Sequence, residues 1–90
     1  MQHFTIHIFG HVQGVFFRVH AKELAEKLGI TGYIRNEPDG SVHVVAEGKE
    51  PQLDTFVEWC RKGPPAAKVS RIQTHKGEAE GYLDFEIRHQ

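Results

Sequence analysis

The chain has 90 residues, 39% of them hydrophobic, 26% charged and 10% aromatic, which is the composition of an ordinary folded protein too short to build a second core, so residues 1–90 read as a single domain. A formal net charge of -1 removes the broad basic footprint of nonspecific nucleic-acid binding, and any anionic ligand should therefore be small. One cysteine, Cys60, excludes an internal disulfide and a CxxC motif, and no apolar run approaches a signal h-region or a membrane span, so a cytoplasmic protein with no membrane partner is expected.

In chain order, Phe4, Ile6 and Ile8 alternate with His3, Thr5 and His7, the period of a half-buried strand. Phe17, Ala21, Leu24, Ala25 and Leu28 then recur at helical spacing, and Gly29 is placed to cap that helix. Ile30 to Asn36 is extended, and Glu37-Pro38-Asp39-Gly40 carries turn chemistry, so Ser41 to Glu47 becomes the second arm of a hairpin. Pro51 suits the first turn of a second helix whose Leu53, Phe56, Val57 and Cys60 share one face, with Trp59 on its flank; Gly63-Pro64-Pro65 stops it. Two extended runs follow, Val69 to Lys76 and Tyr82 to Arg88, joined by a polar turn over Gly77 to Gly81. The order βαββαββ predicts an α+β, ferredoxin-like sandwich, an antiparallel sheet with two helices packed on one face. That plan hosts enzymes, RNA binders and regulatory domains alike, so the function must come from a site.

The run Gly10-His11-Val12-Gln13-Gly14-Val15-Phe16-Phe17-Arg18 bridges the first strand and the first helix. Backbone N–H groups in such a turn, joined by those of a helix start, make a concave site for phosphate or carboxylate, here the amides of roughly Gly14, Val15, Phe16, Phe17 and Arg18. A cation in a first helical turn opposes the macrodipole at a cost of roughly 0.3 to 1 kcal/mol, and an anion held between Arg18 and the amides would reverse that sign. Asn36 on its own reads as a strand-end or turn asparagine. His3 and His7 share one strand face about 13 Å apart, too far to chelate one ion, and are expected to be solvated; no metal ligand set is legible. His11 and His20 flank the loop, and Cys60 falls on an apolar helix face where a thiol acts as a small hydrophobe.

The segment from Ile8 to Arg18 resembles the signature loop of the acylphosphatases, and Gly32-Tyr33-Ile34-Arg35-Asn36, followed by Gly40, Val42 and Gly48, resembles that family's second signature at the usual mutual spacing. The resemblance extends through Trp59 to Pro64 and the C-terminal Phe85-Glu86-Ile87-Arg88. Departures are confined to Ile34, His20 and Cys60, where smaller, aromatic and leucine residues respectively are common. The resemblance implies hydrolysis of an acyl phosphate to a carboxylate and inorganic phosphate, with Arg18 binding the phosphate and Asn36 positioning the attacking water. It further implies a monomer with a small-molecule substrate, phosphate as product and inhibitor, and no cofactor or metal.

Chemistry agrees with that implication. The leaving group of an acyl phosphate is a carboxylate, already a weak base, so cleavage needs positioning and charge stabilisation more than a general acid. Two rival readings are the acylphosphatase-like part of hydrogenase-maturing carbamoyltransferases and a noncatalytic ferredoxin-like binding module. The former are long chains that often carry proline after the loop arginine, where this chain has Val19. RNA readers of this plan show exposed aromatics on central strands, which Ser41 to Glu47 does not offer.

Overall fold

A computed structural model describes residues 1–89, with strands β1 (Gln2–His11), β2 (Thr31–Asn36), β3 (Val42–Gly48), β4 (Lys68–Gly77) and β5 (Phe85–Arg88), and helices α1 (Phe17–Leu28) and α2 (Glu50–Lys62). The strands lie in the order β4-β1-β3-β2-β5. Alternation along β1 and β3 turns Phe4, Ile6, Ile8, Val42, Val44 and Ala46 to the side covered by the helices, where Phe17, Ala21 and Ala25 of α1 and Leu53, Phe56, Val57 and Cys60 of α2 meet them. One register row runs Ile6, Val44, Ile34, Ile87 across four strands. α1 packs on β2 and β5, and α2 on β1, β3 and β4. Edge-on aromatic pairs join the helices to each other and to β5, Phe17 with Trp59 at 5.2 Å and Phe56 with Phe85 at 6.0 Å. Cys60 is fully buried among these side chains, and burial pushes its thiol well above the usual range. Among the described residues no helix is long and apolar enough to cross a membrane.

The sheet is mixed, not wholly antiparallel: β1–β3, β1–β4 and β2–β3 are antiparallel, but β5 joins β2 in parallel. The chain leaves β4 at the end of the sheet marked by the register positions Gly77, His3, Glu47 and Thr31, and re-enters as β5 at that same end, opposite Gly32. β2 also starts there, so the last strand has to run alongside it in the same direction. The crossing delays the start of β5 from the expected Tyr82 to Phe85, because the Tyr82 N–H is held by the Glu47 carboxylate at 3.3 Å. Gly32 faces this join with φ 137°, and a Cβ there would lie 1.9 Å from the Val45 carbonyl oxygen, so only glycine fits.

Histidines on the helix-free face depart from the expectation of solvated side chains. His3 is buried and hydrogen-bonds Glu47 at 2.7 Å, and His7 hydrogen-bonds His43 at 2.7 Å. Both partners stand directly opposite across the β1–β3 ladder, a neighbourhood set by strand register and invisible in the local pattern. Burial and the nearby His7 and Arg35 hold His43 below the usual imidazole range.

Glu47 is fully buried, which alone would raise its pKa. Its carboxylate nonetheless accepts hydrogen bonds from His3 and from the N–H groups of Glu80, Gly81 and Tyr82, and these hold it below the usual carboxylate range. Replacing one partner of such a group leaves the others buried and unmatched, so Glu47→Gln should lower stability by about 3 kcal/mol. The folded chain binds the Glu47 proton less tightly than the unfolded one. Its contribution is therefore full above the ordinary value of 4.5 and is lost as the pH falls through the folded value. In thermal melts the gap between wild type and Glu47→Gln should narrow below about pH 4.5; a gap of constant size would show that the carboxylate charge is not what holds the crossing.

Candidate active site

β1 ends in a register shift between Phe9 and Gly10. Gly10 has φ 127°, and a Cβ on it would stand 2.2 Å from the Lys68 carbonyl oxygen, so the strand can bend toward its neighbour only with glycine here. Beyond the bulge, the loop is pinned from beneath by Val12 and Val15, both buried in the core. From the side it is held by Gln13, whose Nε2 donates to the carbonyl oxygens of Glu37 at 2.8 Å and Ser41 at 2.9 Å. The β2–β3 turn that receives Gln13 is itself rigid: Glu37 N–H donates to Ser41 O at 2.9 Å, and the Asp39 carboxylate accepts from the Ser41 N–H and hydroxyl at 2.9 and 2.6 Å. The Ser41 hydroxyl, with the Ser41 N–H, holds the Asp39 carboxyl below its usual range.

Two residues of the loop are left-handed, Gly14 at φ 74° and Phe16 at φ 63°, the latter alone among the described non-glycine residues in having positive φ. Holding a bulky L-residue there costs roughly 1 to 2 kcal/mol. Such alternation turns successive N–H groups toward one concave side. Phe16 is also the N-cap of α1, with no side-chain capping bond and no acidic residue in the first turn. His20 N–H to Phe16 O, 3.2 Å, closes the first helical turn, so the N–H groups of Phe17, Arg18 and Val19 have no partner within the helix. Here the positive end of the macrodipole meets the guanidinium of Arg18, a combination that favours an anion.

A cavity of about 450 Å³ opens beside this helix start, with Gly14, Arg18, Asn36 and His89 contributing polar groups and Val12, Phe16, Val19 and Ile87 its apolar side. Arg18 and Asn36 also line an adjoining, more polar recess of about 410 Å³ with Arg88 and His89. Asn36 ends β2 and falls in the same register row as Val42 and Ile8, two residues beyond Ile34 and on the same face of the sheet. Of the loop residues singled out from sequence, Gly14 and Phe16 line the cavity, whereas Val15 and Phe17 have their side chains in the core and have only backbone to offer. His11 and His20 are exposed, and neither lines the cavity.

Sequence reasoning overlooked His89, whose Nδ1 lies 3.5 Å from Arg18 Nη1, and Gln13 as the brace between loop and turn. His89 arrives with β5, and only the parallel pairing with β2 brings that end of the strand beside Asn36. Among the described residues, no group of three or more His, Cys, Asp or Glu side chains is arranged to hold a metal ion.

Residues 4–87 match the family model for acylphosphatase. The acylphosphatase of Shewanella amazonensis is 46% identical over 88 residues, covering 97% of either chain. In three dimensions the crystal structure of acylphosphatase from Bacillus subtilis superposes with a TM-score of 0.95 at 37% identity, covering 98% of this chain and 99% of that one. HypF from T. kodakarensis superposes with a TM-score of 0.87 at 30% identity over all of this chain but only 12% of its own. Sequence identity along the full length of stand-alone relatives, together with the same fold, gives one conclusion: the chain belongs to the acylphosphatase family, whose members hydrolyse acyl phosphates.

Proposed function

We propose that this enzyme cleaves the carboxyl–phosphate bond of acyl phosphates with Arg18 and the loop amides holding the phosphoryl group and Asn36 orienting the water that attacks it. The observation that carries the reading is the meeting of Arg18 and Asn36, from two separate sequence motifs, in one cavity beside an uncapped helix start. The planar guanidinium presents a fork of donors that matches two phosphate oxygens, and the N–H groups around Gly14 to Arg18 face the same anion. As the bond to the carboxylate loosens, charge spreads over the equatorial phosphoryl oxygens, where fixed dipoles aimed in advance stabilise it without reorganisation. The side-chain amide of Asn36 is neutral and both donates and accepts, so it can hold a water in line with the departing carboxylate without adding repulsion to the bound anion. A monomer working in the cytoplasm and inhibited by its product phosphate completes the proposal; the free, buried thiol of Cys60 is in keeping with a reducing compartment.

Hydrolysis of benzoyl phosphate against a simple phosphomonoester, with and without a chelator, tests the reaction class. Fast turnover of the first, little of the second and no effect of chelation are expected; a chelator-sensitive monoesterase would overturn the reading. Arg18→Lys should lose nearly as much turnover as Arg18→Ala, since lysine keeps the charge but not the fork. In both variants phosphate should inhibit much more weakly than in wild type. A lysine variant with near-normal turnover would mean that charge alone suffices. Asn36→Ala should cut kcat by a factor on the order of 10² while phosphate affinity by titration stays within a few-fold, because its partner is the water and not the anion. A correctly folded Asn36→Ala with near wild-type kcat would remove Asn36 from the mechanism.

A further inference from the structure

The described residues include four large hydrophobic side chains that are exposed, Met1, Phe16, Val19 and Leu83, and two of them, Phe16 and Val19, line the cavity. Phe16 is 74% and Val19 48% exposed. Neither contributes to the core, yet Phe16 occupies a left-handed conformation in which glycine would be free of strain. A bulky aromatic held at such a position and turned to solvent has no place in the core that would account for it. The cavity is also divided by chemistry: Gly14, Arg18, Asn36 and His89 contribute its polar groups, while Val12, Phe16, Val19 and Ile87 form its apolar side.

We infer that Phe16 and Val19 select the acyl half of the substrate, and that this site favours acyl phosphates whose acyl group is apolar and of the size of a benzoyl ring over those with a small or charged acyl group. The inference rests on the hydrolytic reading of the site. In an in-line displacement the leaving carboxylate departs on the side of phosphorus opposite the water. With the water held from β2 by Asn36, the acyl group points away from the sheet, toward side chains carried by the loop and α1. Phe16 and Val19 are those side chains. An aromatic face gains both apolar contact and ring packing against an aryl group, whereas an acetyl methyl covers too little of it to gain comparably. A carboxylate or second phosphate on the acyl chain would lose water against these apolar groups, and neither side chain offers it a charge in return.

The test compares kcat/KM for benzoyl phosphate and acetyl phosphate in wild type, Phe16→Gly and Val19→Ser. It is paired with titration of two stable analogues, 2-oxo-2-phenylethylphosphonate and 2-oxopropylphosphonate, in which methylene replaces the bridging oxygen. Phe16→Gly removes the ring at a backbone angle glycine adopts freely, and Val19→Ser changes an exposed helix position, so both variants should fold. The benzoyl to acetyl ratio is expected to fall about tenfold in Phe16→Gly and severalfold in Val19→Ser, with the aryl analogue losing its binding advantage in step. A role confined to shaping the loop would lower both substrates alike, and an unchanged ratio would overturn the inference. Should wild type hydrolyse neither substrate, the hydrolytic reading fails, while the analogue titrations still decide whether Phe16 discriminates between acyl groups.

Discussion

A single buried carboxylate at the pole of the sheet opposite the site governs where the last strand can go. Glu47 accepts from His3 and from consecutive N–H groups of the crossing, so the segment between β4 and β5 is drawn across the end of the sheet instead of turning back on β4. Everything contributed by β5 follows from that path. Phe85 enters the core against Phe56, Ile87 and His89 complete the cavity, and Arg88 stacks on Tyr33 at 4.0 Å. A polar group has this authority because it is buried: its lone pairs have no water to fall back on, so the donors that reach it are fixed in place.

The candidate site is built differently, with local backbone strain concentrated along the loop that lines the cavity. Two valines and a glutamine hold the loop rigidly enough for Phe16 to remain left-handed, and the turn that Gln13 grips is locked by Asp39 and Ser41. The helix start is left without a capping side chain or an acidic residue, and an arginine sits where the macrodipole least favours it. The bare helix start and its arginine weaken the isolated fold slightly, and an anion placed there would reverse the sign of both. The residues proposed to cradle an anion are thus also a local cost of folding.

Legibility in the sequence followed the range of the interaction. Strand alternation, helix faces, the Gly29 cap, the hairpin turn and the core position of Cys60 depend on neighbours within a few residues, and all were readable. The loop and Arg18 could be read because glycine spacing and a strand-to-helix handover are local features, and Asn36 only because a family resemblance joined it to Arg18. Three features depend on register or on strand order and left no local trace: the parallel β5, the His3–Glu47 and His7–His43 pairs, and His89 beside Arg18. Glu47 is the instructive case. Alternation put it on the helix-free face, where a carboxylate is expected to be solvated, and it is instead held between His3 and the crossing chain.

The strand order also sets the timing of folding. β1 is the first strand to be made and lies between β3 and β4, so Phe4 must wait for Ala46 on one side and Lys76 on the other. Until most of the chain has been synthesised, Phe4, Ile6 and Ile8 have no ladder to join, and helices formed early have no sheet to cover. Closing loops of this length before any contact rewards them slows folding relative to topologies built from local contacts. The nascent N-terminal strand is therefore the segment most open to pairing with another chain while it waits.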